Sequence, residues 1–245
     1  MLNALLKFGT PNAKLKKMSK GMGLKLITFT LPAGHTCPGA SDCLSTSDRI
    51  TGKVKDGEQT KFRCFMATAE ARSPSLRKLV WHNLELIQQA SCDGVEAIAD
   101  LIDASLPDFD IIRVHVGGDY FSRDYFKAWC MVAERHPNKV FYSYTKSLAV
   151  IGGLAKSKPD NLVLTASRGG KWDNLIEEKD WKEARVVYSE EEAKELGLEI
   201  DHDDTHAAFG KEDFALLIHG TQPKGSAASI ALQKLKKQSK VKEQN

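Results

Sequence analysis

Cysteine is scarce in this sequence, and it contains neither a long hydrophobic run nor a strong net charge. Its 245 residues include five cysteines and carry a formal net charge of +3 at pH 7. No apolar run approaches the roughly 20 residues that a membrane-spanning helix requires. A net charge this small creates no global basic field that would attract nucleic acid. We therefore expect neither a membrane nor nucleic acid as a partner.

The sequence also has no recognisable secretory signal. Residues 1–7 lack the charged start, long apolar segment and small-residue cleavage site of such a signal. We therefore expect a cytoplasmic protein in a reducing compartment. There, cysteines that cluster on one loop favour metal binding or catalysis over disulfide bonds.

The order of the predicted elements indicates an α/β fold. Strand patterns alternate with helical ones, and no linker rich in proline and serine divides them, so we expect one domain. We predict a basic arm over residues 1–23, interpreted as a solvated lead-in, a (β/α) domain over 24–225 with a loop at 32–64, and a basic helical tail over 226–245. The architecture expected is a full or partial (β/α) barrel, and the alternative is an open doubly wound sheet.

Capping residues and apolar spacing locate the individual elements. Ser73 followed by Pro74 predicts a helix start, and Ser122 and Ser189 are predicted caps of later helices. A further helix is predicted over residues 93–105 and a short one over 149–155. Residues 51–59 suggest a small hairpin, because Asp56-Gly57 is a turn-like pair. The predicted strands cover residues 24–31, 111–116, 140–145, 161–166, 185–188, 198–200 and 214–218.

Three of the five cysteines lie on the loop after the first strand. Cys37, Cys43 and Cys64 are separated by five and then twenty residues. A zinc site usually has paired Cys-x2–4-Cys spacing, which is absent, although His35 could complete a Cys3His set. An iron–sulfur cluster tolerates irregular spacing, and three thiolates would leave one iron free. Three buried free thiols are the remaining alternative.

Other polar residues follow the predicted strands, where the carboxyl ends of parallel strands form the active face of a barrel. The segment Gly117-Gly118-Asp119 could approach a ligand closely and accept hydrogen bonds from it. Lys146 and Arg168 could bind a carboxylate or phosphate. The remaining candidates are His115 facing the barrel interior, the polar run 201–206, and His219. For each of them a purely structural role is the alternative.

Several sequence elements, taken together in this order, resemble the bacteriophage gene 88 protein family. This family is largely uncharacterised, and the chain differs from its pattern in the long insertion between Cys43 and Cys64. The resemblance implies a viral protein that acts in the host cell cytoplasm. The elements that carry it are Asn12-Ala13-Lys14-Leu15, Leu31-Pro32-Ala33-Gly34, Cys37-Pro38-Gly39, Cys43, Cys64, Tyr144-Thr145-Lys146, Leu164-Thr165-Ala166-Ser167 and Lys224-Gly225.

More loosely, the chain is similar to radical S-adenosylmethionine (SAM) enzymes. Those enzymes have a cluster-binding loop after the first barrel strand and a later strand that ends in Gly-Gly-Glu. In this chain, Gly117-Gly118-Asp119 would correspond to that Gly-Gly-Glu segment. The usual Cys-x3-Cys-x2-Cys spacing is absent. The resemblance implies a [4Fe-4S] cluster with one open iron, SAM as a candidate cofactor, and Asp119 holding its amine.

Three functional hypotheses follow from these observations. The first is an iron–sulfur protein. If it is an enzyme, the open iron would bind SAM or a small anionic substrate, and Lys146 and Arg168 would hold the anionic group. The second is a redox or sensing module that works with a partner protein, with Cys92, His206 or His219 as the fourth cluster ligand. The third is a zinc-stabilised nucleic-acid binder that uses the basic arm and tail. No catalytic residue is assigned.

Overall fold

The computed structural model describes residues 4–242, and these residues form a curled parallel sheet covered by helices. Seven strands run in parallel in the order β1-β4-β5-β6-β7-β9-β8, and a separate antiparallel pair joins β2 to β3. The strands are β1 (Leu26–Thr28), β2 (Ser45–Ser47), β3 (Val54–Asp56), β4 (Ile111–Arg113), β5 (Val140–Thr145), β6 (Leu162–Ser167), β7 (Glu183–Val187), β8 (Glu199–Ile200) and β9 (Phe214–Leu217).

Ten α-helices accompany these strands in the described part of the chain. They are α1 (Ala13–Met22), α2 (Phe65–Arg72), α3 (Pro74–Ser91), α4 (Val95–Ser105), α5 (Arg123–Arg135), α6 (Leu148–Ile151), α7 (Asn174–Glu178), α8 (Glu190–Glu195), α9 (Thr205–Phe209) and α10 (Ala227–Lys242). A 3-10 segment, Gly152–Ser157, follows α6. None of the described helices combines the length and apolar character that a bilayer crossing requires.

The sheet is half of a barrel. Across residues 4–242, β1 and β8 are its edges and do not pair with each other, so of the predicted full or partial barrel the full form is not present. A partial barrel and an open sheet are both compatible with this arrangement. The α/β class and the parallel strand order are confirmed.

The two faces of the sheet bury different helices because side chains alternate along each strand. Ile112 and Phe141 face helices α3, α4 and α5, whose Trp129 and neighbours build the largest core cluster. Ile111 and Tyr142 point to the opposite, concave face. There they pack with α1 and α9, which fill the base of the half-barrel and leave its upper end open.

Predicted helix starts agree with the structure where a cap specified them. Ser73 Oγ accepts the Leu76 N–H at 3.2 Å, with Pro74 in the first turn, and Ser122 Oγ accepts the Tyr125 N–H at 3.2 Å. The strand expected over 111–116 ends at Arg113, because His115 adopts a left-handed φ of 70°. The hairpin turns at residues 48–53, not at Asp56-Gly57, with Gly52 at a φ of 74°.

The ends of the chain differ most from expectation. Residues 13–22, expected within a solvated arm, form α1, because Leu15 and Met18 are buried against the sheet. The basic tail is helical, as predicted, and its last residues, 243–245, lie outside the described residues. Helices α2, α7 and α9 are also structured segments for which no helix is predicted from the sequence.

Candidate functional site

A pocket of about 610 Å³ opens at the carboxyl ends of the strands. Its lining combines the ends of β4, β5, β7 and β9 with the cysteine loop and the start of α1. The cysteine loop is fastened over this end of the sheet by an isolated bridge between Ala40 and Gly170 and by a hydrogen bond from the Asp42 N–H to the Gly169 carbonyl at 2.9 Å. The pocket therefore lies where ligands bind in parallel α/β proteins.

The pocket brings Cys37, Cys43 and Cys64 together on one wall. All three are free thiols. Burial raises the pKa of each thiol, that of Cys64 to about 12, and within each pair the charge of one thiolate raises the pKa of another. Three thiols that interact electrostatically in one desolvated place are costly as free thiolates, and a bound cation would remove that cost.

A backbone amide donates to the sulfur of Cys37, and nearby amides lower the pKa of the other two thiols. The Gly34 N–H donates to Cys37 Sγ at 3.3 Å. Cys64 is the N-cap of α2, and the amides of Met66 and Ala67 lower the pKa of its thiol. The Cys43 amide acts in the same direction on its own side chain. Amide donors of this kind stabilise sulfur ligands of metal centres.

The arrangement does not match a site for a single metal ion. Within residues 4–242, no three His, Cys, Asp or Glu side chains are grouped closely enough to hold one ion. His35, expected as the fourth ligand of a zinc set, instead packs edge-on against Trp81 with ring centroids 5.0 Å apart, and its Nε2 lies 3.2 Å from the Ser47 carbonyl. The sulfurs of a cubane cluster bind different irons, so they lie farther apart than ligands around one ion.

Asp119 lies in the pocket wall and has three hydrogen-bond donors from the protein. Its Oδ1 accepts from the Tyr120 N–H and the Thr145 hydroxyl, both at 2.7 Å, and its Oδ2 accepts from the Lys146 N–H at 2.8 Å. Burial raises the pKa of this carboxyl, and the hydrogen bonds oppose that rise. The carboxylate thus clamps the end of β4 to the end of β5.

The two glycines before Asp119 also line the pocket, and packing explains why they are glycines. A Cβ on Gly117 would lie 2.8 Å from Met66 Cγ. Gly118 has a φ of 83°, and a Cβ there would lie 2.6 Å from both Leu31 Cβ and Thr36 Oγ1. Close packing between β1, α2 and the β4 end therefore requires this pair.

The two cations predicted to bind an anion are already engaged. Lys146 lines the pocket, but its Nζ donates to the Ser167 carbonyl at 2.8 Å, to the Ser167 hydroxyl at 3.0 Å and to the Arg168 carbonyl at 2.5 Å. Arg168 is not among the lining residues and forms ion pairs with Glu177 and Glu183. The structure therefore does not bring Arg168 to the site.

The predicted histidines have separate locations. His115 is among the residues that line the pocket, and its Nε2 lies 2.9 Å from the Tyr125 hydroxyl of α5. His219 lines the pocket and packs on Phe65 at 4.8 Å. His206 lies outside the lining, with its Nε2 3.1 Å from Glu199.

The two remaining cysteines lie away from the site. Cys92 is exposed and caps the C-terminal end of α3, outside the pocket lining, so it does not share a wall with the cysteine loop. Cys130 packs beside the core formed with α5, as the sequence indicates.

Sequence reasoning missed the floor of the pocket. Arg113 at the end of β4 and Lys14 at the start of α1 both pair with Asp204, at 2.5 and 2.7 Å. The guanidinium of Arg113 lies over the Tyr144 ring, 4.9 Å from its centroid. Two sequence features pointed toward this floor, namely a charged residue at the end of an apolar strand and the polar run 201–206. Neither feature identifies the residues with which its charged side chains pair.

Comparison with known proteins identifies the family. A family model described as gene product 88 matches residues 4–240. The chain belongs to the gene product 88 family.

Two gene 88 proteins of mycobacterial phages are similar to the chain. It is 27% identical to the gene 88 protein of Mycobacterium phage L5 and 28% identical to that of Mycobacterium phage D29, each over 158 residues. Each match covers 62% of this chain and 60% of the relative. The chain thus spans less than two thirds of the length of these relatives. No solved structure matches the chain.

The family resemblance rests on sequence elements that the fold gathers around one pocket. The Asn12–Lys14 segment, the three loop cysteines and the Tyr144–Lys146 strand end all contribute to its lining. These elements are far apart in the sequence and belong to α1, the cysteine loop and β5. The pocket therefore gathers residues from the start of α1, the cysteine loop and β5.

Proposed function

We propose that this gene product 88 protein is an iron–sulfur protein whose Cys37, Cys43 and Cys64 hold a [4Fe-4S] cluster. One observation carries the proposal. Three free thiols line a pocket at the carboxyl edge of a parallel sheet, and the Gly34 N–H donates to the sulfur of one of them, Cys37. Iron in such a cluster binds thiolates and would balance the negative charge that these residues concentrate there.

The rest of the pocket supports a second part of the proposal, that a small molecule binds beside the cluster. A volume of about 610 Å³ is typical of sites that enclose a small organic ligand. Three protein thiolates leave one iron without a protein ligand, and SAM or a small anionic substrate is the ligand proposed for it. Asp119 has three donors, of which only the Lys146 N–H reaches Oδ2, so this oxygen keeps an acceptor position for an amine of that ligand.

A specific observation favours a second candidate function, a redox or sensing module. Of the fourth ligands considered from the sequence, His219 alone shares the pocket, with its ring against Phe65 next to Cys64. If His219 bound the fourth iron, the cluster would have only protein ligands and would transfer or sense electrons without binding a small molecule.

Metal and sulfide analysis tests the first part of the proposal. Protein reconstituted anaerobically with iron and sulfide is expected to hold about four irons and four sulfides per chain and to be brown. The Cys37→Ser, Cys43→Ser and Cys64→Ser variants should each lose most of this iron, whereas Cys92→Ser, at an exposed site, should retain it. A colourless protein that takes up one zinc would refute the cluster.

Electron paramagnetic resonance of the reduced protein separates the two candidates. A spectrum that changes on addition of SAM, in the wild type and in His219→Ala alike, supports an open iron. A spectrum that is indifferent to SAM but altered by His219→Ala supports the redox module.

A further inference from the structure

The pocket floor contains an unusual grouping of charges. Asp204 has a side chain only 1% exposed, and both Lys14 and Arg113 form ion pairs with it. The Tyr142 hydroxyl donates to the same carboxylate at 3.2 Å. Asp204 itself is held in a left-handed conformation, with a φ of 72°, immediately before α9. The fold thus fastens α1, β4 and α9 together through one buried carboxylate.

The two cations outnumber the carboxylate that they share. Asp201 is the other acidic residue of the floor, but its Oδ1 accepts the N–H groups of Asp203 and Asp204, at 3.0 and 2.7 Å. A further cation, Lys182, interacts with Asp201 electrostatically. Asp201 acts electrostatically on Arg113 as well as on Lys182, whereas Lys14 and Arg113 share one ion-paired carboxylate, that of Asp204.

Hydrogen-bonding groups on that side also lack partners in the described residues. Arg113 Nε and the Tyr144 hydroxyl are buried without a hydrogen-bond partner. Stacking of the guanidinium on the Tyr144 ring fixes its orientation. Helix α1 begins at this place, with Asn12, Ala13 and Lys14 in the pocket lining, so its positive end adds to the same potential.

We infer that the pocket floor binds the acidic end of a small molecule, a carboxylate or a phosphate, between Lys14 and Arg113. Lys14 is one third exposed and reaches the pocket from a helix, so it can contact a ligand while it stays near Asp204. Asp201, with its unpartnered Oδ2, repels an anion and confines the acidic end to the α1 side. This inference uses the same pocket as the proposed function but does not depend on the cluster.

The test is isothermal titration calorimetry of the full chain with inorganic phosphate and with acetate in a buffer of low ionic strength. We expect saturable one-site binding of at least one of them, weakened as salt increases. Lys14→Gln should weaken the binding about tenfold, because it removes one charge-assisted hydrogen bond. Lys16→Gln is the matched control, since Lys16 is exposed on the same helix and does not line the pocket.

The titrations distinguish a phosphate ligand from a carboxylate ligand, and they separate failure of this anion site from failure of the cluster. Preference for phosphate or for acetate identifies the acidic group. Absence of binding to both, or equal losses in Lys14→Gln and Lys16→Gln, overturns the inference. Arg113→Lys, which keeps the charge on Asp204, provides a second variant if Lys14→Gln fails to fold. A Cys37→Ser/Cys43→Ser/Cys64→Ser variant should still bind the anion, so failure of the cluster and failure of this site are separate results.

Discussion

The role of Asp119 can be tested by replacing it with asparagine. In the structure its carboxylate accepts three hydrogen bonds and joins the ends of β4 and β5. An asparagine oxygen can keep the bonds from Tyr120 and Thr145, but its NH2 group then faces the Lys146 N–H. That buried donor loses its partner, which costs about 1–3 kcal/mol.

The net effect follows from two opposing changes. The two retained bonds go from a charged to a neutral acceptor, which costs about 1 kcal/mol more. Removing a carboxylate whose pKa is raised by burial offsets part of this loss. We therefore expect Asp119→Asn to lower the free energy of unfolding by about 2 kcal/mol, which corresponds to about 4–8 °C in Tm for a chain of this size.

Urea denaturation and thermal unfolding of metal-free protein at pH 7 measure this loss. Asp108→Asn is the control, because Asp108 is largely exposed, pairs only at the surface with Lys25, and should leave stability unchanged. If Asp119→Asn unfolds at the wild-type midpoint, the clamp is refuted. Unchanged stability with lost ligand binding would instead support the role that the resemblance to radical SAM enzymes implies for Asp119.

Two further predictions concern the loop and the helix layer. Gly39→Ala should displace the cysteine loop and sharply reduce iron uptake in the reconstitution assay, because its Cβ would lie 2.0 Å from the Lys146 carbonyl. Gly153→Ala is the control and should leave iron uptake unchanged, since the space around Gly153 is open. Normal iron uptake by both variants would contradict the loop geometry. His115 has its pKa lowered to about 3 by burial, so the stability it contributes is complete above about pH 6.5 and is lost as pH falls toward 3. The free energy of unfolding from urea denaturation should therefore fall between pH 7 and 4.5 by about 3 kcal/mol more in the wild type than in His115→Gln. Parallel profiles of the two proteins would refute the assignment.

Local sequence signals predicted most of the elements. Helices α3 and α5 begin where Ser73 and Ser122 cap them, since a cap depends only on residues within one turn. Helix α1 was missed because it contains many lysines, and its burial depends on Leu15 and Met18 contacting a sheet formed by distant residues. Tertiary packing, more than intrinsic propensity, stabilises such short helices.

Residue order alone places three cysteines on one loop and gathers polar residues where parallel strands end. Both follow from chain connectivity, because the carboxyl ends of parallel strands meet at one edge. Which of those polar groups face the pocket depends on how the chain packs in three dimensions. Lys146 and Arg168 are engaged by carbonyls and glutamates, whereas Lys14 and Arg113 meet at Asp204, which is 91 residues beyond Arg113 in the chain. Ion pairs of this kind depend on the distance between side chains after folding, and residue type and spacing do not encode that distance.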